Sequence, residues 1–172
     1  MSRMHIQPDL HTHNTASDGT LSPAELVARA ARAGVRVLAL TDHDTTEGVA
    51  QARGAARRAG MTFIPGVEIS ASWGGRTVHI LGLGIDAAAP PLAAGLAGLR
   101  EYRSWRAEEI GRRLARAGIG GAFEGARALS SGRLVGRTHF ARFLVQRGHA
   151  PCVRDVFRHY LVKGKPGHVQ GE

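Results

Sequence analysis

A single cysteine, Cys152, among 172 residues excludes an internal disulfide framework. No apolar run approaches the roughly 18 residues that a membrane-spanning helix requires. The opening Met1-Ser2-Arg3-Met4-His5 lacks the apolar stretch of a secretory signal, so a soluble, cytoplasmic protein is expected. Aromatics are sparse at 5%, and lysine is nearly missing, since 21 of the 23 basic residues are arginine. What the chain does have is glycine, 23 residues, and 43% hydrophobic side chains. That is enough for a real core threaded by tight turns.

The net charge of +9 is uneven. Residues 1–90 hold eight Lys/Arg against eight Asp/Glu, whereas residues 91–172 hold fifteen against six. A basic module beside a neutral one suits a polyanionic partner, because clustered arginine neutralises phosphates and releases counterions. A GC-rich coding bias toward arginine, alanine and glycine produces the same composition, so charge alone leaves both readings open.

The first ninety residues alternate short apolar runs with helical patterns. Residues 4–10 read as a strand. Ser22-Pro23-Ala24-Glu25 opens a helix with an N-cap serine, a first-turn proline and a capping-box glutamate. Its buried stripe is Leu26, Val27, Ala30 and Ala31, and Gly34 ends it. Residues 35–40 read as a second strand, Asp44 and Glu47 as the start of a second helix, and residues 61–64 as a third strand. Residues 77–85 read as a fourth, paired with part of 68–73 across Gly74-Gly75. This order implies parallel strands with right-handed crossovers, and sites in such folds gather at the carboxyl ends of the strands. After Pro90 the pattern is helical. Leu92 to Leu114 mark one long helix or two, Phe140 to Leu144 another, and Val153 to Leu161 a third.

Polar residues with metal-binding chemistry collect at those strand ends. In Asp9-Leu10-His11-Thr12-His13 two imidazoles lie at i and i+2 on an extended segment and so share a side. Such a pair can grip one cation, although H-x-H alone is a weak signal. Asp18 follows in the next loop, and His43 sits in Thr41-Asp42-His43-Asp44 just past the second strand. Asp44 there reads simply as a helix cap. Glu68, in Gly66-Val67-Glu68 after the third strand, can bridge two cations, and His79 lies within the apolar fourth strand. Each residue singly has a bland reading as a surface or core side chain. Their collective placement at one rim points to a polynuclear metal centre.

These motifs, D-L-H-T-H-x-x-x-S-D-G, T-D-H-D-T, P-G-V-E-I-S and H-I-L-G-L, resemble the polymerase and histidinol phosphatase (PHP) family over nearly the whole chain. Residues 136–143 and 156–161 are similar to the subgroup that hydrolyses 3',5'-bisphosphate nucleotides and trims RNA from its 5' end. The resemblance implies an α/β fold, a partial distorted (β/α)7 barrel of PHP type with a small helical insertion. Residues 1–90 would be the ligand-bearing part of the barrel, 91–165 the basic insertion, and 166–172 the start of the remaining barrel. It implies up to three divalent ions, with His11 and His13 on one and Glu68 bridging it to a second. His79 would belong to the second, and Asp18 with His43 to a third. Arg137 and His139 would bind the substrate phosphate. Family members carry a further Ala-His-Pro motif and a late Asp-x-His; neither is present here, which is the pattern of a C-terminally truncated member.

The expected reaction is metal-assisted phosphate-ester hydrolysis, with metal-bound hydroxide as the nucleophile. Asp9 and Asp42 would orient the neighbouring histidines. Mixed imidazole and carboxylate donors suit Mn2+, with Fe2+, Zn2+ or Mg2+ as alternatives. The partner would be a nucleotide or an RNA 5' end. Arg100, Arg103, Arg106, Arg112, Arg113 and Arg116 would form a solvated helix face or track phosphates, and Tyr102 and Trp105 would pack in the core or stack a base. Two other readings are a small-metabolite phosphatase of histidinol-phosphatase type, and a non-catalytic metal- or phosphate-binding PHP domain.

Overall fold

The computed structural model describes residues 7–130 and 134–170. The sheet has four strands in the order β1-β2-β3-β4: β1 (Pro8–Asp9), β2 (Val37–Leu40), β3 (Thr62–Trp73) and β4 (Arg76–Leu83). The first three are parallel, with Pro8 opposite Val37 and Val37 opposite Thr62. The fold is thus mixed α/β, with a curled sheet that makes half of a barrel. Helices α1 (Pro23–Arg32) and α2 (Val49–Arg58) are the crossovers, as alternating strand and helix patterns require. No helix among the described residues is long and apolar enough to cross a membrane.

Local chemistry explains these boundaries. Glu25 N–H donates to Ser22 Oγ at 3.3 Å, and Glu25 Oε2 accepts the Ser22 N–H at 2.8 Å, closing the expected capping box. Pro23, Val27 and Ala30 face the core, but Ala31 is exposed, one position past the stripe that periodicity assigned to it. Helix α2 begins at Val49 rather than at Asp44, so Asp44 does not cap it, and Gly48 takes the cap position without a side chain. The strand expected over 4–10 is two residues long; residues 4–6 lie outside the described residues.

The third strand is much longer than the expected 61–64, running twelve residues to Trp73. Pro65-Gly66 looks like a break, yet Pro65 falls opposite Leu40 at the end of the β2 pairing. Gly66 is needed because a Cβ there would lie 2.8 Å from the Leu40 carbonyl and 2.9 Å from that of Gly82. As expected, the chain then reverses over Gly74-Gly75, with φ of 56° and 72°, a pair of left-handed positions suited to a tight hairpin.

Two compact units emerge. One comprises Met1–Ser70 and His79–Leu96, the other Ala71–Val78 and Ala97–Glu172. The core of the first is Val27, Leu38, Leu40, Val49 and Met61, packed with small alanines of α1 and α2. The helical elements are α3 (Pro90–Arg116), α4 (Ala122–Leu129), α5 (Arg137–Gln146) and α6 (Val153–Val156), the last running into a π-helical turn at Phe157–Leu161. The second core gathers Ile110, Leu114, Phe140, Leu144, Val156 and Leu161. Helix α4 has no counterpart among the expected elements: it is short, carries Gly125, and lies after a run of glycines that reads as loop.

Candidate metal centre

The site is built where β1 and β2 end and β3 continues. Past Asp9 the chain leaves the sheet, but Thr12 keeps it anchored: its hydroxyl donates to the Ala39 carbonyl at 2.6 Å, and Thr41 N–H donates to the Thr12 carbonyl at 2.9 Å. His11 and His13, flanking that anchor, present their rings on one side, with centroids 5.0 Å apart. The next loop folds back tightly. Asn14 accepts from the N–H groups of Ser17 and Gly19, and a Cβ on Gly19 would strike the backbone of residues 13 and 14.

Four imidazoles converge on one buried carboxylate. His11 Nε2 lies 2.8 Å and His13 Nε2 3.1 Å from Glu68 Oε2, His43 Nδ1 is 3.7 Å from the same oxygen, and His79 Nδ1 is 3.3 Å from Oε1. Glu68 is only 5% exposed. Asp18 Oδ1 faces His13 Nδ1 at 3.7 Å. The donor atoms form three overlapping groups, each within 4.8 Å: His11, His13 and Glu68; His43, Glu68 and His79; His13, Asp18 and His43. All six residues assigned to the centre from sequence are therefore brought together. Glu68 lies within β3 rather than after it, just beyond the stretch that pairs with β2.

The residues fit a divalent cation on chemical grounds. His13 Nδ1 is buried and makes no hydrogen bond. Burial, the largest influence, holds the His13 pKa below its ordinary value and keeps the ring neutral, the form that ligates. Imidazole nitrogens with carboxylate oxygens suit the borderline divalent metals.

The two aspartates act on the backbone around the histidines. Asp9 Oδ1 faces the His11 N–H at 3.5 Å. Asp42, 1% exposed, accepts from the Asn14 N–H at 2.9 Å and the Ser17 hydroxyl at 2.6 Å, so it fixes the loop carrying His13 and Asp18. Burial raises its pKa to about 6, against these two hydrogen bonds, which lower it. Asn14 and Ser17, both buried, escaped sequence reasoning; the signal was their position between the H-x-H and Asp18. Asp44 also escaped, since the structure makes it a partner of β3: its Oδ1 accepts the Ser70 N–H at 2.7 Å.

Arg137 and His139 occupy the first turn of α5 in the helical unit. The Arg137 guanidinium lies 5.8 Å from the Phe157 ring centroid, and burial first, then Arg103, lower its pKa. His139 is buried, and its Nδ1 accepts the Gly136 N–H at 3.0 Å, which puts the proton of the neutral ring on Nε2. The rings of Tyr102 and Trp105 meet at a tilt, with centroids 5.4 Å apart, and Trp105 remains about half exposed.

Known proteins share much of this sequence. The chain is 54% identical over 162 residues to a 3',5'-nucleoside bisphosphate phosphatase of Chromobacterium violaceum, covering 94% of this chain and 57% of that protein. It is 50% identical over 163 residues to the 5'-3' exoribonuclease Rnm of Escherichia coli, covering 94% of this chain and 56% of that one. A solved structure of an amidohydrolase from Chromobacterium violaceum, with bound sulfate and no metal, matches with a TM-score of 0.93 at 51% identity, over 96% of this chain and 60% of that one. The chain thus spans a little over half the length of the relatives it matches. The PHP domain description fits residues 9–161, and the chain belongs to the PHP domain family.

Proposed function

We propose that this chain carries the metal-holding part of a phosphoesterase that hydrolyses 3',5'-bisphosphate nucleotides or trims RNA 5' ends. The convergence of four imidazoles on Glu68 carries the reading. His11 and His13 would hold one divalent ion, Glu68 would bridge it to a second held with His79, and Asp18 with His43 would hold a third. Such ions make water nucleophilic at neutral pH and neutralise phosphoryl charge. Mn2+ is favoured by the donor set, with Fe2+, Zn2+ or Mg2+ as alternatives.

The chain's own residues supply position and charge. Asp42, through Asn14 and Ser17, keeps His13 and Asp18 in one loop conformation, and Asp9 orients His11. Residues 91–165 would form the basic insertion, in which the Arg137 fork binds a phosphate in two-point fashion and His139 donates from Nε2. The substrate class follows the names of the two relatives. A small-metabolite phosphatase is the second reading. It predicts no loss of turnover when the arginines of α3 are neutralised.

The decisive assay is hydrolysis with added Mn2+ of a 3',5'-bisphosphate nucleotide and of 5'-phosphorylated RNA. It is run on this chain and on a version extended to the length of its relatives. Turnover of either substrate that is abolished by chelation supports the proposal. An extended protein inert on both substrates overturns it.

A further inference from the structure

The pairing of β2 with β3 does not stop where β2 stops. The register Leu40 opposite Pro65 is kept three residues on, where His43 lies opposite Glu68 in a parallel bridge. Between them Thr41 faces the other way, its N–H donating to the Thr12 carbonyl on the β1 side. The renewed ladder has two main-chain rungs: Glu68 N–H donates to the Asp42 carbonyl, and Asp44 N–H donates to the Glu68 carbonyl, each at 3.0 Å. In a parallel ladder the next rung would run from the Ser70 N–H to the carbonyl of Asp44. That rung is made differently. Ser70 N–H donates at 2.7 Å to Oδ1 of the Asp44 side chain.

Backbone conformation explains the substitution. Asp44 has φ of 52°, the one positive value at a non-glycine position among the described residues, and it is fully buried. A left-handed residue turns the chain out of the strand direction, toward the loop that leads to α2. Its carbonyl cannot continue the ladder, and its carboxylate takes the vacated place. Aspartate and asparagine tolerate this region better than other side chains because a short polar group can hydrogen-bond locally.

We infer that Asp44 is a positioning residue for Glu68, its carboxylate standing in for its own carbonyl so that the ladder closes on both sides of the shared ligand. The inference rests on the metal-centre reading above for its consequence, but its geometry is independent of any ion. Glu68 is then held from Asp42 on one side and from Asp44 and Ser70 on the other, while His43 sits between the two aspartates.

The test compares Asp44→Asn, which keeps both the acceptor and the tolerance for positive φ, with Asp44→Gly, which keeps only the backbone freedom. Amide hydrogen exchange on the metal-free full chain reads the ladder directly. In Asp44→Gly, protection of the Ser70 and Glu68 amides should fall at least tenfold relative to the amides of β2 (on the order expected for local opening). Asp44→Asn should restore it. Titration with Mn2+ should then show about a tenfold weaker affinity for Asp44→Gly, the scale seen when a ligand's support is removed, and near-native affinity for Asp44→Asn. Unchanged Ser70 and Glu68 protection in Asp44→Gly overturns the inference, as does an Asp44→Asn chain that loses protection equally. If the unaltered chain takes up no Mn2+ while the exchange pattern follows expectation, the metal-centre reading fails and the positioning of Glu68 by Asp44 stands.

Discussion

The strand-built unit buries Thr12, Asn14, Ser17, Thr41, Asp42, Asp44, Thr45 and Glu68 around one site, whereas the helical unit fills its interior with Ile110, Leu114, Phe140, Leu144, Val156 and Leu161. Charge is distributed in the opposite sense. Residues 1–90 balance eight basic against eight acidic side chains, and residues 91–172 carry fifteen against six, much of it on exposed helix faces such as Arg112 and Arg116. The first region thus buries a set of polar side chains beside its apolar core, around the candidate metal centre, whereas the second buries mostly apolar side chains, with Arg103, Arg106, Ser130 and His139 among them, under a cationic surface. Stability and the candidate chemistry thus rest largely on different residue types.

The largest expected effect comes from the apolar interior. Phe140→Ala removes a fully buried ring, which should lower the unfolding free energy by about 3–5 kcal/mol in a denaturant titration. A loss under about 1 kcal/mol would mean that this cluster does not carry the helical unit. Glu68→Gln should behave oppositely. Affinity for Mn2+, followed by calorimetry, should fall by at least about 100-fold, beyond the usual cost of losing a mere support for a ligand. The metal-free chain should unfold no more easily than before, because a buried carboxylate placed for a cation does little for the fold on its own. A Glu68→Gln chain that binds Mn2+ normally would refute the role given to Glu68.

Smaller effects sharpen the picture. Ser17→Ala deprives Asp42 of a buried hydroxyl donor and should cost about 1–3 kcal/mol of stability, with weaker Mn2+ binding as the loop around His13 and Asp18 loosens. Smallest is the effect of neutralising Arg112, Arg113 and Arg116 together. These surround Glu109 at 3.3, 2.7 and 3.8 Å, three cations for one carboxylate. If they track phosphates, the salt dependence of binding to 5'-phosphorylated RNA should become shallower by about 0.7 for each phosphate no longer neutralised. An unaltered slope would make them a solvated helix face that merely balances Glu109.

Much of the candidate site was legible in the sequence because imidazoles and carboxylates are chemically conspicuous and strand ends are marked by apolar runs. His11, His13, Asp18, His43, Glu68 and His79 all meet, although His79 sits inside an apolar strand and looks like a core residue. Less legible was anything set by tertiary closeness. The third strand reads as ending at residue 64 because local propensity cannot show that Gly66 is squeezed between two carbonyls of its neighbours. Asp44 reads as a helix cap because an aspartate ahead of a helix has that role far more often than it completes a strand ladder. Helix α4 hid among glycines, since its stability comes from packing Phe123 and Ala126 on the helical core rather than from its own sequence.

Gly66 carries a consequence for tolerance. With two carbonyl oxygens and the Thr41 methyl all under 3.0 Å from where a Cβ would stand, even alanine has no vacant volume to occupy. The strand itself would have to slide, and the nearest functional atom downstream, the carboxylate two residues on, would travel with it. The absence of one methyl group therefore acts as a gauge block that sets how far apart the Glu68 carboxylate and the imidazoles around it can be.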